Sequence, residues 1–105
     1  MLFPHRVMLH PSIHDSDLDG NSVRRPADVG IPSPAFIQPV AAHENLVEPH
    51  ITLDAVCFLP ATAPLLDAFS VIVWEGRRFE LVGEALAFKD PHHTLTHSYA
   101  RLRTM

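Results

Sequence analysis

The sequence contains little cysteine, little glycine and few basic residues, and each shortage excludes a class of protein. A single cysteine, Cys57, excludes an intramolecular disulfide and favours a reducing compartment. Eight lysine and arginine residues against twelve acidic ones, with a net charge of −4, argue against a protein that binds nucleic-acid phosphates. No apolar run approaches the roughly 20 residues of a membrane-spanning helix, and the N-terminal residues do not follow the signal-peptide pattern. We therefore expect no membrane partner.

Proline is abundant in this chain of 105 residues, which contains ten prolines, four glycines and 47% hydrophobic residues. The length predicts one domain over residues 1–105, and the apolar content is high enough for a small core. Because proline removes a backbone donor and breaks helices, we expect stiff, extended, proline-rich connections and little helix.

The densest run of strand-forming residues predicts an antiparallel hairpin. Residues 71–74 lead into Glu75-Gly76, and residues 77–82 lead away from it. β-branched and aromatic residues suit a pleated, half-buried surface, and a glycine at the second turn position tolerates a positive φ. Alternation predicts that Phe79 and Leu81 share a face. A two-residue turn and a glycine bulge both fit Glu75-Gly76.

Shorter strand signals lie on both sides of this hairpin. Proline closes several of them, and Pro39 is expected at a strand end or a sheet edge. In residues 51–60, Ala55, Cys57 and Leu59 are expected on one face together with Ile51 and Leu53. The other candidate strands are residues 5–10, 35–40, 86–88 and 94–104. The sequence therefore predicts an all-β fold, a small antiparallel β-barrel or sandwich with long loops.

Residues 12–35 show almost no hydrophobic period and are expected to form one long loop. Within it, Asp15, Asp17, Asp19 and Gly20 match the first half of a calcium loop. The twelfth position of that loop is Pro26 instead of the glutamate that calcium requires, so a solvated acidic loop is favoured. A structureless connection of this length is uncommon in a compact domain and is usually functional.

No set of residues with catalytic spacing is present. His10 and His14 stand four residues apart, as do His93 and His97, but both pairs lie in strand-like or turn-like segments where that spacing does not bring two ligands together. Cys57 lies in an apolar strand and is expected to pack as a small hydrophobe. We therefore expect no metal, no cofactor and no enzyme activity.

The order of the motifs resembles one protein family. A strand ending in FLP is followed by a loop, an aspartate and the hairpin V-x-V-x-E-G-R-x-F-E-L-V-G, then by LAF, a D-P turn and a final Y-A-R-L-R strand. The earlier pieces RVMLHP, DSDLDG and IQPVAAHE fit the same order. This order resembles the head-closure proteins, or head-to-tail stoppers, of long-tailed bacteriophages, as seen in actinobacterial phages.

The resemblance implies a ring, with a hexamer expected, made in the host cytoplasm and located in the virion neck. The ring would contact the portal and adaptor complex on one side and the tail terminator or tail tube on the other. It would hold packaged double-stranded DNA in the capsid without sequence-specific contacts. In this family a long loop projects towards the channel, so the loop at 12–35 supplies the channel candidates: Asp15, Asp17, Asp19, Gly20, Arg24 and Arg25.

Ring contacts are expected at open sheet edges and exposed apolar residues. The apolar candidates are Phe3, Phe36, Ile37 and Trp74. Among the basic residues, Arg77 and Arg78 are expected at a solvated hairpin tip. Arg101 and Arg103 are two residues apart and share one face of their strand. They are expected either to pair with acidic residues of a neighbouring subunit or to be solvated.

Three other functions stay open. Another neck or tail protein, such as the adaptor or the tail terminator, is the nearest of them, although the adaptor is usually helical. A small β-barrel that binds single-stranded nucleic acid would need a basic groove with interleaved aromatic residues. A small metallohydrolase would need converging histidines. Gel-shift and metal analysis distinguish the last two.

Overall fold

The computed structural model describes residues 2–40, 46–48, 51–52, 54–92 and 95–105, and only the backbone of residues 46–48, 51–52 and 95. These residues form β-strands and turns, and none of them is helical. Accordingly, no helix in the described ranges is long and apolar enough to cross a membrane. The strands are β1 (His5–His10), β2 (Ser12–Ser16), β3 (Ser22–Pro26), β4 (Ile31–Pro39), β5 (Leu46–Glu48), β6 (Ile51–Thr52), β7 (Ala55–Pro60), β8 (Val71–Trp74), β9 (Arg77–Leu81), β10 (Leu86–Lys89) and β11 (Leu95–Thr104).

Six antiparallel strands close into a barrel in the order β11, β7, β4, β1, β8, β9. The barrel closes because β9 pairs with the end of β11, where Leu81 lies opposite Leu102. The first half of β11 pairs instead with β10, which lies outside the closed ring of strands. The prediction of a small all-β antiparallel barrel is confirmed.

The barrel interior is filled by side chains that alternate along the strands. Ala55, Cys57 and Leu59 of β7 are buried together, as the sequence predicts, and so are Phe79 and Leu81 of β9. Each fully buried leucine, isoleucine or phenylalanine contributes roughly 1.5–3 kcal/mol of transfer free energy. The other fully buried large side chains are Leu9, Ile72 and Leu102.

The predicted central hairpin is present as β8 and β9. Trp74 lies opposite Arg77, so only Glu75 and Gly76 form the turn. Both turn residues have positive φ, 51° and 77°, which is the type I′ geometry that matches the twist of the two strands. The connection is therefore a two-residue turn and not a bulge.

Three prolines lie in β4 at positions that need no donated hydrogen bond. Pro32 and Pro34 lie in the part of β4 that pairs with β1 alone, and β7 pairs only from Phe36 onwards. A missing N–H on the side without a neighbouring strand breaks no ladder bond. Pro39 is the last residue of β4, as expected.

The expectation of an unstructured loop over residues 12–35 is wrong. β2 and β3 pair from Ser12 opposite Pro26 to Ser16 opposite Ser22, and β4 begins at Ile31. Side chains of this hairpin are exposed or half-buried on both faces, so it has no apolar period to reveal it.

The predicted strand over residues 51–60 is interrupted. Ile51–Thr52 pairs with β5 in a separate two-stranded sheet, and β7 begins at Ala55. Leu53 and the side chain of Ile51 lie outside the described part of the chain.

Candidate functional site

The β2–β3 hairpin continues the β1–β4 ladder beyond the barrel wall. The pairing register shifts between the two ladders, since Leu9 lies opposite Ile31 but Ser12 lies opposite Pro26. At this junction the N–H of Ala27 donates to the carbonyl oxygen of Pro11 over 2.8 Å. Residues 5–35 therefore form one long antiparallel ribbon. Its β1 and β4 strands belong to the barrel, and its β2 and β3 strands form a separate hairpin beyond the barrel.

A histidine and a glycine pack at the junction of the ribbon. His10 Nδ1 lies 2.8 Å from the carbonyl oxygen of Ala27, to which it donates a hydrogen bond. A Cβ on Gly30 would lie 2.9 Å from His10 Nε2, closer than real Cβ contacts. Gly30 is therefore required for the close packing of this ring against the β3–β4 connection.

The carboxylate of Asp67 anchors the hairpin to the barrel. Ser12 Oγ donates to Asp67 Oδ2 over 2.6 Å, and Arg24 Nη2 lies 2.9 Å from the same oxygen. The other oxygen, Oδ1, accepts from the N–H of Phe69 and the hydroxyl of Ser70. Partial burial opposes ionisation, but these hydrogen bonds and the Arg24 charge together lower the pKa of Asp67.

The tip of the hairpin is closed by Asp17 and is exposed to solvent. Asp17 Oδ1 accepts from the N–H of Asn21 over 2.8 Å and from the N–H of Asp19 over 2.9 Å. The hydrogen bond from Asn21 is the main cause that lowers the pKa of Asp17. Gly20 has φ of 83°, and Leu18 is fully exposed. Asp17 therefore shapes the turn, in the manner of an Asx turn, instead of being left free for a cation.

The six channel candidates of the sequence all lie on this hairpin. Asp15 pairs with Arg25 across the strands, which lowers the pKa of Asp15, and Arg25 also lies 2.9 Å from Asp28. Among the described residues, no three histidine, cysteine, aspartate or glutamate side chains converge on one point. The structure therefore brings the candidates together but partly neutralises their charges.

A second feature is a row of apolar side chains across the outer face of four strands. Phe36 of β4 lies opposite Phe58 of β7, Phe58 lies opposite Tyr99 of β11, and Tyr99 lies opposite Leu86 of β10. The Phe36 and Phe58 ring centroids are 6.0 Å apart at 90°, and those of Phe58 and Tyr99 are 5.2 Å apart. The three rings are half-buried, and Leu86 is 52% exposed.

A second row lies beside the first. Pro60 lies opposite His97, and His97 lies opposite Phe88. The Phe88 and His97 rings stack at 4.8 Å with an interplanar angle of 11°. We call the two rows together, Phe36, Phe58, Tyr99, Leu86, Pro60, His97 and Phe88, the aromatic face. It is a continuous apolar patch, of the kind that marks interaction surfaces.

His5 and Trp74 extend this patch at the end of β1. The His5 ring lies 6.1 Å from Phe36 and 5.2 Å from Trp74, both in edge-to-face geometry. His5 Nδ1 accepts a hydrogen bond from the N–H of Ile37 over 2.9 Å, which fixes the orientation of the ring. Trp74 also packs against the core, so it serves as both a structural and a surface residue.

The structure separates the four apolar interface candidates. Phe36 belongs to the aromatic face, Trp74 borders it, and Phe3 is half-buried. Ile37 is wrong as a surface candidate, because its side chain points into the barrel and is 3% exposed. Neighbouring residues of a strand face opposite sides, so Phe36 and Ile37 cannot both be on the surface.

Sequence reasoning missed Phe58, Tyr99, Leu86 and Phe88. The alternation of Phe58 and Tyr99 with the buried Cys57, Leu59 and Ala100 marked outward positions in β7 and β11. Only the strand register places them next to one another.

The four basic interface candidates have different environments. Arg77 and Arg78 are exposed at the β8–β9 turn, as expected, and Arg77 Nη2 lies 3.3 Å from Thr104 Oγ1. Arg103 lies opposite Glu80 and donates to it through Nε and Nη2 at 2.8 and 2.7 Å. Arg103 is therefore already paired within the chain, whereas Arg101 has no carboxylate partner in the described ranges.

Cys57 is buried in the barrel, and burial raises the pKa of its thiol to about 12. A thiol that stays protonated is a poor nucleophile and a poor metal ligand. Cys57 therefore acts as a core residue.

No family model matches the sequence, and neither does any curated protein. The fold is similar to the solution structure of protein SF1141 from Shigella flexneri 2a, with a TM-score of 0.67 and 15% identity. The match covers 98% of this chain and 93% of that one. At this identity the likeness shows a shared fold.

Proposed function

We propose that this chain is a structural protein of the neck of a long-tailed bacteriophage, where it forms a ring between the portal and adaptor complex and the tail. The observation that carries the proposal is the continuous ribbon, which extends the barrel wall into an anchored hairpin with an exposed acidic tip. The motif order of the sequence and the small closed barrel support the same assignment. An adaptor is disfavoured because an adaptor is usually helical.

In this proposal each barrel lies in the wall of a ring, with a hexamer expected, and each hairpin points into the lumen. A paired hairpin held by Asp67 is stiffer than the unstructured loop expected from the sequence. Several hairpins together narrow a channel that one subunit cannot close.

Asp17 and Asp19 place negative charge at the hairpin tip, beside the DNA phosphates. At about 0.15 M salt the repulsion acts over roughly 8 Å, so it matters only in a narrow channel. Repulsion favours sliding of the DNA during packaging, whereas basic contacts would hold it by counterion release. The residues that would meet the adaptor and the tail terminator or tail tube are apolar side chains of the barrel surface, and no step requires a cofactor.

Shortening the hairpin tests the gate. Replacing residues 16–22 with Asn-Gly joins Asp15 to Val23, a hydrogen-bonded pair whose residues already lie opposite each other, by a preferred two-residue turn. The anchor of Ser12, Arg24 and Asp67 is retained, so the fold is expected to be unchanged. Packaged heads carrying this variant should lose DNA, measured as nuclease-sensitive DNA, while heads carrying Asp19→Ala should lose less. Full DNA retention with the shortened hairpin would contradict the gate.

Cryo-electron microscopy of the virus particles that carry the chain tests the location. A ring between the portal complex and the tail, with hairpins near the axis, is the expected result. Density in the tail tube or the capsid shell would contradict the gate but retain a virion role. Absence of the chain from purified particles would overturn the neck assignment.

A further inference from the structure

Within the part of the chain that the structure describes, the outer edge of β10 is open for a further strand. Among the described strands, β10 pairs with β11 alone, and all four of its residues are exposed. The carbonyl oxygen of Phe88 accepts from Thr96 Oγ1 of β11, so the backbone groups of Phe88 point towards β11. Because these groups alternate in direction along a strand, the N–H and C=O of Ala87 point to the open edge. An uncovered donor and acceptor of this kind are ready for pairing with another strand.

The aromatic face ends at this same edge. Leu86 is the last residue of the first row and Phe88 the last of the second. They are 52% and 43% exposed, the two most exposed apolar side chains of the face. A strand added beside β10 would place its alternate side chains against Leu86 and Phe88, extending both rows by one strand.

Two arginines lie beside the aromatic face. A third outward row consists of Gln38, Val56 and Arg101, in which Arg101 carries the only charge. On β1, Arg6 lies opposite Pro34 and is exposed. Within the described ranges, neither Arg6 nor Arg101 has a carboxylate partner. The face therefore complements a partner that is apolar at alternate positions and negatively charged beside them.

We propose that β10 and the aromatic face bind an extended, acidic segment of another protein, which adds to the open edge as a strand. Its apolar side chains contact Leu86 and Phe88, and a carboxylate lies near Arg101. The backbone hydrogen bonds supply affinity, and contacts with the two rows of the aromatic face determine which side chains of the segment fit. This inference does not rest on the neck assignment.

Two other occupants fit less well. A second copy of this chain paired through its own β10 would add one lysine and no carboxylate to that strand, so the added strand would bring no negative charge for Arg101. Single-stranded nucleic acid needs exposed ring faces, but Phe36 and Phe58 pack at 90° to each other and are half-buried.

Two synthetic peptides of alternating sequence, valine–glutamate and valine–lysine, test the proposal on the isotopically labelled full chain by NMR. The valine–glutamate peptide should shift the amide signals of Ala87 and Phe88 and the ring signals of Tyr99, and the valine–lysine peptide should bind more weakly. Arg101→Glu should weaken binding of the acidic peptide by about three- to five-fold, the size of one exposed ion pair, and strengthen binding of the basic one.

A proline at the open edge supplies a second variant. Ala87→Pro removes the free donor without removing a β10–β11 bond and should abolish binding. Ala61→Pro is the matched control, because Ala61 is exposed at the second position of the turn closed by the Ala63 N–H and the Pro60 carbonyl, where proline is favoured. It should bind as the native chain does.

Four results would overturn the proposal. The first is that millimolar peptide shifts no NMR signals, and the second is that Ala87→Pro binds the peptide as the native chain does. The third is that oligothymidine, and not the peptide, shifts the NMR signals of the aromatic face. The fourth is that the chain self-associates and that Ala87→Pro abolishes this self-association. If Ala87→Pro does not fold, Arg101→Glu still tests the proposal. The proposal is contradicted if this variant prefers the valine–glutamate peptide over the valine–lysine peptide as strongly as the native chain does.

Discussion

Arg24 and Asp67 form the contact that joins the projecting hairpin to the barrel, with Arg24 Nη2 2.9 Å from Asp67 Oδ2. The same carboxylate accepts from Ser12 on β2, so it holds both strands of the hairpin. Its other oxygen accepts from Phe69 and Ser70, just before β8 begins. One side chain thus fixes the turn into the central hairpin and the position of the outer one.

Asp67→Ala should lower the free energy of unfolding by about 1–3 kcal/mol, because it removes several hydrogen bonds to a charged group. Urea denaturation followed by tryptophan fluorescence measures the change. Asp28→Ala is the matched control, since Asp28 also pairs with an arginine but its side chain is 83% exposed, and it should change stability by less than about 0.5 kcal/mol. Equal effects of the two substitutions would contradict the anchor.

Acid should destabilise the hairpin, because the pKa values of Asp67 and Asp17 are lowered in the folded protein. A carboxylate with a folded-state pKa below its ordinary 3.8 contributes stability that is fully present above pH 3.8 and is lost as the pH falls through the lower folded value. Amide hydrogen exchange of the hairpin should therefore be constant from about pH 6 to about pH 4, once corrected for intrinsic rates, and lose protection below. Protection that falls already near neutral pH would contradict the role of these two carboxylates.

Two substitutions in the β8–β9 turn should change the free energy of unfolding in opposite directions. Gly76→Ala should cost about 1–2 kcal/mol, because φ is 77° and open space around the Cβ leaves only the backbone conformation to oppose it. Glu75→Asn should gain a few tenths of a kcal/mol, since asparagine accepts the φ of 51° more readily. Thermal denaturation measures both, with the exposed Arg78→Ala as control. A neutral Gly76→Ala would contradict the type I′ turn.

Ile37 and Gln38 test the inward and outward positions of β4. Ile37→Ala should cost about 2–4 kcal/mol, since it leaves a cavity beside the barrel core. Gln38→Ala, at the exposed neighbouring position, should stay within about 0.5 kcal/mol. Calorimetry gives both values. If Ile37→Ala kept full stability and only impaired assembly, the surface position expected from the sequence would be correct.

Cys57 should not react with thiol reagents in the folded protein at about pH 8, because its thiol is buried and its pKa is raised to about 12. The urea-unfolded chain should react at the rate of a free cysteine, which serves as the control. The rate of labelling in the native protein then reports opening of the barrel. Rapid labelling without unfolding would show that β7 is accessible.

Most barrel strands could be predicted from the sequence because their signals are local. The β8–β9 hairpin combines β-branched residues with a glycine that permits positive φ, and β7 alternates small and large apolar residues up to Pro60. Such patterns require only that one face of a strand be buried.

The hairpin at residues 12–26 could not be predicted in this way. Its side chains do not form a buried face, so no period distinguishes a strand from a loop. Its pairing follows from its position, since β1 and β4 already hold its two ends side by side.

The sequence by itself determined the all-β class, the central turn and the inward residues of β7 and β9, because each depends on neighbours in the chain. The tertiary structure decided the closure of β9 on β11, the anchor at Asp67 and the rows that join Phe36 to Leu86. These depend on the register between strands far apart in sequence. Packing of the whole barrel sets that register, since a slip of one residue would turn every core side chain outward.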